Sequence, residues 1–248
     1  MTLAEFFKTH DKAAIAFSGG VDSAFLAYTA KKCGADIRAY YVKSAFQPSF
    51  ELNDAERFAK TYKIDLQVLN NDILSCSEIT SNDCERCYFC KRLIFKNIAD
   101  AAEKDGFKII LDGTNASDDD RDRPGMRAAK ELNVLSPLKE CGLTKNDIRI
   151  LSREAGLFTA NKPSYSCLAT RIKTNETITA EKLKKIEAAE SFLFELGFTD
   201  FRVRLSGDTA RLQFSRNQFE RALECKQTIL NKMKIYFPSV LSEFEVRI

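Results

Sequence analysis

The sequence predicts an α/β fold, a parallel sheet with helices on both faces followed by a small C-terminal α/β domain. Short apolar runs alternate with helical stretches along the front of the chain. The first run, Ala13-Ala14-Ile15-Ala16-Phe17, meets the glycine turn Ser18-Gly19-Gly20 and then the helical stretch Ala24-Phe25-Leu26-Ala27-Tyr28. After Gly156 the pattern changes to a long amphipathic helix and two alternating runs.

The β-rich run Ile37-Arg38-Ala39-Tyr40-Tyr41-Val42 precedes a helical stretch at 51–62 and the short strand candidate Leu66-Gln67-Val68-Leu69. A helix over 91–103 stops at Gly106 and leads into a strand at 107–111. Parallel strands joined through helices require right-handed crossovers, and their ligands bind at the carboxyl ends of the strands. Three segments are therefore expected at one crevice: the turn 18–23, the loop after Leu69 that carries cysteines, and Asp112-Gly113-Thr114-Asn115. Further on, a helix over 180–196 stops at Gly197, and strands at 201–205 and 210–214 are joined by Ser206-Gly207-Asp208-Thr209. A helix at 218–234 and a strand at 244–248 complete the appendage. The boundary is placed near Ile172, giving domains 1–172 and 173–248, the second for substrate binding or oligomerisation.

With 248 residues, 44% hydrophobic and 29% charged, the chain can bury a sizeable core and is neither disordered nor fibrous in composition. Its 38 basic and 35 acidic residues leave a net charge of +3, too balanced for a nucleic-acid binder but suited to small anionic substrates. No apolar run approaches a bilayer span and the first ten residues lack signal-peptide features, so a cytoplasmic protein is expected, without membrane or stable nucleic-acid contacts. A homo-oligomer is also expected. Eight cysteines in that setting are expected as thiols or metal ligands. Cys33, Cys76, Cys141 and Cys225 stand alone and read as packing or surface residues, whereas Cys84, Cys87 and Cys90 crowd into one segment.

The turn Ser18-Gly19-Gly20-Val21-Asp22-Ser23 lies between a strand and a helix N-terminus, where a row of backbone N–H groups can surround an anion. Glycines let backbone approach phosphate, and Ser18 and Ser23 offer hydroxyl donors. The string lacks the lysine of a Walker loop and the spaced glycines of a dinucleotide fingerprint. It resembles instead the PP-loop of ATP pyrophosphatases, which cleave ATP to AMP and pyrophosphate while adenylating an oxygen. That resemblance implies the adenine nucleotide alpha hydrolase-like version of the fold, with ATP and Mg²⁺ as cofactors. Asp22 is the nearest candidate for Mg²⁺; a helix-start carboxylate favoured by the dipole is the other reading.

In Cys84-Glu85-Arg86-Cys87-Tyr88-Phe89-Cys90-Lys91 the Cys-x-x-Cys spacing fits structural zinc and an iron–sulfur cluster equally. A further ligand must come from elsewhere; His10 is a poor candidate, and Cys167 lies in a loop-like stretch after Pro163. Together with the turn, the strings Arg86-Cys87-Tyr88-Phe89-Cys90-Lys91, Leu111-Asp112-Gly113-Thr114-Asn115, Arg123-Pro124-Gly125, Ser136-Pro137-Leu138, Lys162-Pro163-Ser164 and Cys167-Leu168-Ala169-Thr170-Arg171 resemble the LarE family. Glu190, Leu196-Gly197-Phe198 and Arg202-Val203-Arg204 extend the resemblance to nearly the whole chain.

LarE proteins are ATP-dependent sulfur transferases in nickel-pincer nucleotide cofactor synthesis. The resemblance therefore implies a pyridinium biscarboxylate mononucleotide substrate, adenylated and converted to a thiocarboxylate. One kind of LarE sacrifices the sulfur of an active-site cysteine; its cysteine falls on Ser166 here, with Cys167 one place along. The pair Cys87 and Cys90 points instead to the kind in which these and Cys167 bind a 4Fe–4S cluster that carries sulfide from a donor. Cys84 is then a bystander or a replacement ligand. Lys91 and Lys162 are expected near pyrophosphate or the adenylate, and Gly113, Thr114 and Asn115 with Ser18–Ser23 at the nucleotide. Arg202 and Arg204, sharing one strand face, suit the substrate phosphate, or else form a solvated face. Arg171, Ser166 and, more weakly, Glu190 and Arg211 join them. Sacrifice of Cys167, tRNA thiolation and a non-catalytic nucleotide-binding regulator are the competing readings.

Overall fold

The computed structural model describes residues 1–118, 124–241 and 244–247. In chain order its elements are α1 (Leu3–Thr9), β1 (Lys12–Ala16), α2 (Val21–Lys32), β2 (Asp36–Lys43), α3 (Ser49–Tyr62), β3 (Leu66–Asn70), α4 (Ser77–Thr80), α5 (Arg86–Lys104), β4 (Ile110–Leu111), α6 (Pro124–Glu131), α7 (Pro137–Glu140) and α8 (Lys145–Glu154). They are followed by α9 (Ala180–Glu195), β5 (Phe201–Ser206), β6 (Thr209–Phe214), α10 (Phe219–Glu224), α11 (Lys226–Tyr236), β7 (Ser239–Val240) and β8 (Glu245–Val246). Two compact units result: Met1–Asp72 with Cys87–Ser164, and Ile73–Arg86 with Tyr165–Ile248.

The first unit is built on a parallel sheet in the order β3-β2-β1-β4. Alternation along β1 sends Ala13 and Ile15 to one face and Ala14 to the other. On the first face they meet Phe6, Leu26, Phe58, Leu138 and Ile148 from α1, α2, α3, α7 and α8; on the second, Ala14 and Tyr40 meet Phe95, Ile98 and Ala129 from α5 and α6. Both faces are therefore covered, as a parallel sheet requires. The order reverses at β1, with β2 on one side and β4 on the other, so the crevice of the sheet opens where β1 and β4 end.

Several elements differ from expectation for local physical reasons. The strand expected over 107–111 is regular only at Ile110–Leu111, because Ile109 joins the sheet through its carbonyl alone, which accepts from Ala14 N at 2.8 Å. Leu135 prolongs that edge by a parallel bridge to Leu111. Helix α5 starts at Arg86 and not near Lys91, so Cys87 and Cys90 lie on a helix and not on the expected loop. The helix expected over 218–234 breaks at Cys225 into α10 and α11.

In the second unit β5 and β6 form an antiparallel hairpin that places Arg202 opposite Gln213 and Arg204 opposite Arg211. Its turn uses Gly207 at φ +55°, a conformation glycine adopts without steric cost. β7 and β8 pair in parallel with β6. Residues 73–86 belong here because buried Asn82, at φ +59°, donates to the carbonyls of Lys173 at 2.9 Å and Glu176 at 3.1 Å. Backbone bonds from Asn175 N to Asn82 O and from Ile178 N to Thr80 O complete the seam. The division thus differs from a single boundary near Ile172. The last strand is Glu245–Val246; Ile248, and Arg123 of the Arg-Pro-Gly string, lie outside the described residues. Among the described residues, no helix is long and apolar enough to cross a membrane.

Candidate active site

The turn 18–23 occupies the carboxyl end of β1 and delivers the chain into α2. Gly19 adopts φ +71°, and a Cβ there would sit 3.4 Å from Ala55 Cβ and Glu51 O of α3. Gly20 caps α2 at φ −77° without any side-chain cap, leaving the first-turn N–H groups uncapped by side chains at the positive end of the helix dipole. Ser18 and Ser23 were expected as phosphate donors; here they tie the turn together. Ser18 N donates to Ser23 Oγ at 3.2 Å, Gly20 N to Ser18 Oγ at 3.3 Å, and Ser23 Oγ to Gly20 O at 3.3 Å.

The loop after β4 packs directly on this helix start. A Cβ on Gly113 would lie 2.9 Å from Ser23 N, so the absent side chain lets two backbones meet. Buried Asp112 shapes the loop by accepting from Thr114 N at 3.0 Å, Thr114 Oγ1 at 2.7 Å and Ser136 Oγ at 2.8 Å. Buried Asn115 accepts from Ser117 N at 2.9 Å, and Ser117 Oγ in turn accepts from Lys145 N at 3.0 Å.

Two cation pairs border the turn. Lys145 Nζ reaches Asp22 Oδ2 at 2.5 Å, while Asp22 Oδ1 is buried with no hydrogen-bond partner. A buried carboxylate oxygen left unsatisfied beside this turn fits a divalent cation. Lys162 Nζ lies 2.7 Å from Asp54 Oδ2 and 3.4 Å from Gly19 O, beside the turn. Sequence reasoning missed Lys145 and Asp54. The reciprocal cap between Thr144 and Asp147 marks the start of α8, but nothing local announces that this helix meets α2. Lys91 contacts α6: a Cβ on Gly125 would stand 3.1 Å from Lys91 Cδ, and its ammonium lies 5.6 Å from the Phe95 ring centre.

None of the eight cysteines is in a disulfide. Cys87 is exposed and Cys90 half-buried on α5, where a spacing of three residues puts them on one face. Cys84 and Cys167 belong to the second unit. Among the described residues no group of three or more His, Cys, Asp or Glu side chains is arranged to hold a metal ion.

In the second unit Arg171 and Glu190 are enclosed and bound to each other. Arg171 Nε donates to Glu190 Oε1 at 2.8 Å and Nη2 to Oε2 at 3.2 Å. Arg171 Nη1 also donates to Ser166 O, Ser166 Oγ and Thr170 Oγ1, at 2.9, 2.8 and 2.8 Å. Burial disfavours its charge, yet the Glu190 contact outweighs that and raises its pKa. Glu190 also accepts from Tyr165 OH and from Val203 N. Expected as substrate contacts, Arg171, Ser166 and Glu190 thus support the bend that carries Cys167. Tyr165, which sequence reasoning did not single out, lies 4.6 Å from the Arg171 guanidinium and 5.3 Å from that of Arg202. Arg202 is buried rather than solvated, and burial together with neighbouring Arg171 lowers its pKa to about 10. Arg204 is exposed and donates to Gln213 Oε1 at 2.7 Å and Thr170 O at 2.9 Å. Arg211 pairs with Glu245 on the hairpin exterior.

The asparagine synthase family matches residues 7–118. The chain is 35% identical over 90% of its length to an uncharacterized protein of Synechocystis sp., covering 83% of it. It is 33% identical over 98% of its length to an uncharacterized protein of Methanocaldococcus jannaschii, covering 93% of that protein. It is also 31% identical over 86% of its length to the pyridinium-3,5-bisthiocarboxylic acid mononucleotide synthase of Lactiplantibacillus plantarum, covering 78% of that enzyme. An uncapped helix start behind a left-handed glycine, at the reversal point of a parallel sheet, agrees with this kinship, and the chain belongs to the LarE family of PP-loop, ATP-dependent sulfur transferases.

Proposed function

We propose that the protein uses ATP to adenylate a carboxylate of a pyridinium biscarboxylate mononucleotide and then replaces AMP with sulfur, forming a thiocarboxylate for nickel-pincer nucleotide synthesis. The likeness to the mononucleotide synthase over most of both chains carries this reading. The chemistry needs activation first, because a carboxylate is anionic and lacks a leaving group. A carboxylate oxygen attacks the α-phosphorus and the α–β phosphoanhydride bond breaks with loss of pyrophosphate. A sulfur nucleophile then adds at the acyl carbon and AMP departs with the electron pair of the C–O bond.

The turn 18–23 and the loop of Gly113, Thr114 and Asn115 would hold the nucleotide. The unsatisfied oxygen of Asp22 would hold Mg²⁺, which supplies charge neutralisation at the phosphates. Arg202 and Arg204 would receive the mononucleotide phosphate; Arg202, already desolvated, loses little hydration on meeting an anion. Cys87, Cys90 and Cys167 would ligate a 4Fe–4S cluster, whose remaining iron offers a place for sulfide. Sulfur taken from Cys167 itself, leaving dehydroalanine, is the competing route.

Anaerobically purified protein supplied with ATP, the mononucleotide and sulfide tests both halves. AMP and pyrophosphate are expected only when the carboxylate is present, and release of ADP and phosphate would contradict the activation step. Roughly four irons per chain, lost on Cys87→Ala, are expected. Stoichiometric zinc without iron, or dehydroalanine at 167 in proportion to product, would overturn the sulfur-carrying half.

A further inference from the structure

We infer that Lys162 and Asp54 form a positioning pair that fixes the Gly19–Gly20 peptide of the nucleotide-binding turn, so that Lys162 serves the backbone of the turn and not the phosphate bound there. The inference rests on reading that turn as the ATP site.

The geometry is specific to these groups. The Lys162 ammonium, on a side chain only 14% exposed, is held between Asp54 Oδ2 at 2.7 Å and the Gly19 carbonyl at 3.4 Å. Its backbone is anchored as well: Arg149 donates to Ala160 O at 2.8 Å and to Lys162 O at 2.9 Å. Asp54 lies on α3 beside Ala55, the residue on which Gly19 rests. The pair therefore joins the same helix that supports the turn from below.

A trans peptide points its C=O and N–H in opposite directions. Holding Gly19 O toward Lys162 commits Gly20 N–H to the opposite side, where it meets Ser18 Oγ. Glycine on both sides of one peptide makes that unit unusually free to flip. A flip would break the Gly20 N–H bond to Ser18 Oγ and put a carbonyl oxygen on that side of the turn, where it would repel an anion. Asp54 fixes the lysine, and the lysine fixes the peptide.

Calorimetric titration of the full chain with inorganic pyrophosphate, and separately with ATP, distinguishes this from direct phosphate contact. Asp54→Asn and Lys162→Met are each expected to weaken pyrophosphate binding by about tenfold, the scale of one lost charge-assisted hydrogen bond, and Lys162→Arg to recover most of it. Hydrogen exchange at the Gly20 amide is expected to quicken in both weakened variants without ligand, while thermal unfolding midpoints stay near that of the parent. If Lys162 instead binds phosphate and Asp54 merely competes for it, Asp54→Asn tightens pyrophosphate binding; that result, or no change, overturns the inference. Failure of the parent protein to bind either pyrophosphate or ATP would sink the reading of the turn itself, a result distinct from an unresponsive Asp54→Asn.

Discussion

Gly19 and Gly20 are neighbours in sequence but answer to different constraints. Gly19 holds φ +71° against α3, whereas Gly20 sits at φ −77° and a Cβ there would meet only Ser18 Oγ at 3.3 Å. Gly113 is the third case: its conformation is ordinary, but Ser23 N would stand 2.9 Å from an added Cβ. Gly19→Ala is therefore expected to cost about 1–2 kcal/mol, the left-handed penalty for a residue with a Cβ. Gly113→Ala is expected to push the loop of Asp112 off α2 and weaken ATP binding, while Gly20→Ala keeps both stability and loop shape. Denaturant unfolding and ATP titration of the three variants check this, and a Gly20→Ala more damaging than Gly19→Ala would refute the assignment. The sequence marks the turn as a phosphate site but treats its two glycines alike. Which one is strained depends on where α3 passes, and Gly113 depends on a contact between loops far apart in the chain.

At the scale of elements, α9 supports the short turn Leu168–Arg171 through the Glu190–Arg171 pair. One carboxylate accepts from Arg171, from Tyr165 OH and from Val203 N of β5, so helix, turn and hairpin share it. Glu190→Gln leaves the Arg171 charge buried without its counterion, and breaking a buried pair in this way costs about 3–5 kcal/mol. A lower denaturant midpoint with unchanged ATP binding is the expected result; a loss below ~1 kcal/mol would show that the pair is dispensable. The sequence pattern made α9 and the β5–β6 hairpin plain, because alternation and amphipathic spacing are local signals. The resemblance put Glu190 and Arg171 with the substrate, and the place of a charged residue in the sequence carries no sign that the two are buried against each other. The sequence pattern also took Cys87 and Cys90 for loop residues, whereas α5 begins at Arg86, just after Asp83 Oδ1 accepts from Glu85 N at 2.8 Å.

The whole molecule is threaded rather than concatenated. The chain passes from the first unit to the second after Asp72, returns after Arg86, and crosses again after Ser164. Periodicity and composition do not show such crossings, because residues 73–86 are recruited by polar bonds to backbone some ninety positions away, such as Asn82 Nδ2 to Lys173 O, at a separation of 91 residues. A cut that respects sequence order therefore fails to respect the fold. Truncation after Ile172 would remove Lys173, Asn175, Glu176 and Ile178, the groups that satisfy Asn82 and Thr80. Asn82, buried and held at φ +59°, would lose its bonds to Lys173, Asn175 and Glu176, and each buried polar group left unmade costs about 1–3 kcal/mol. Leu168, Ala169 and Ile172, buried in the intact chain, would also lose β5, α9 and the rest of their core. Chain 1–172 is accordingly expected to aggregate or to be cleaved rapidly between 73 and 86 in limited proteolysis, with the parallel sheet of β1 to β4 the last part to be digested. Should 1–172 melt cooperatively at the temperature of the intact protein and resist cleavage in that segment, the second unit would be an independent appendage, and the bonds of Asn82 would be incidental to the fold.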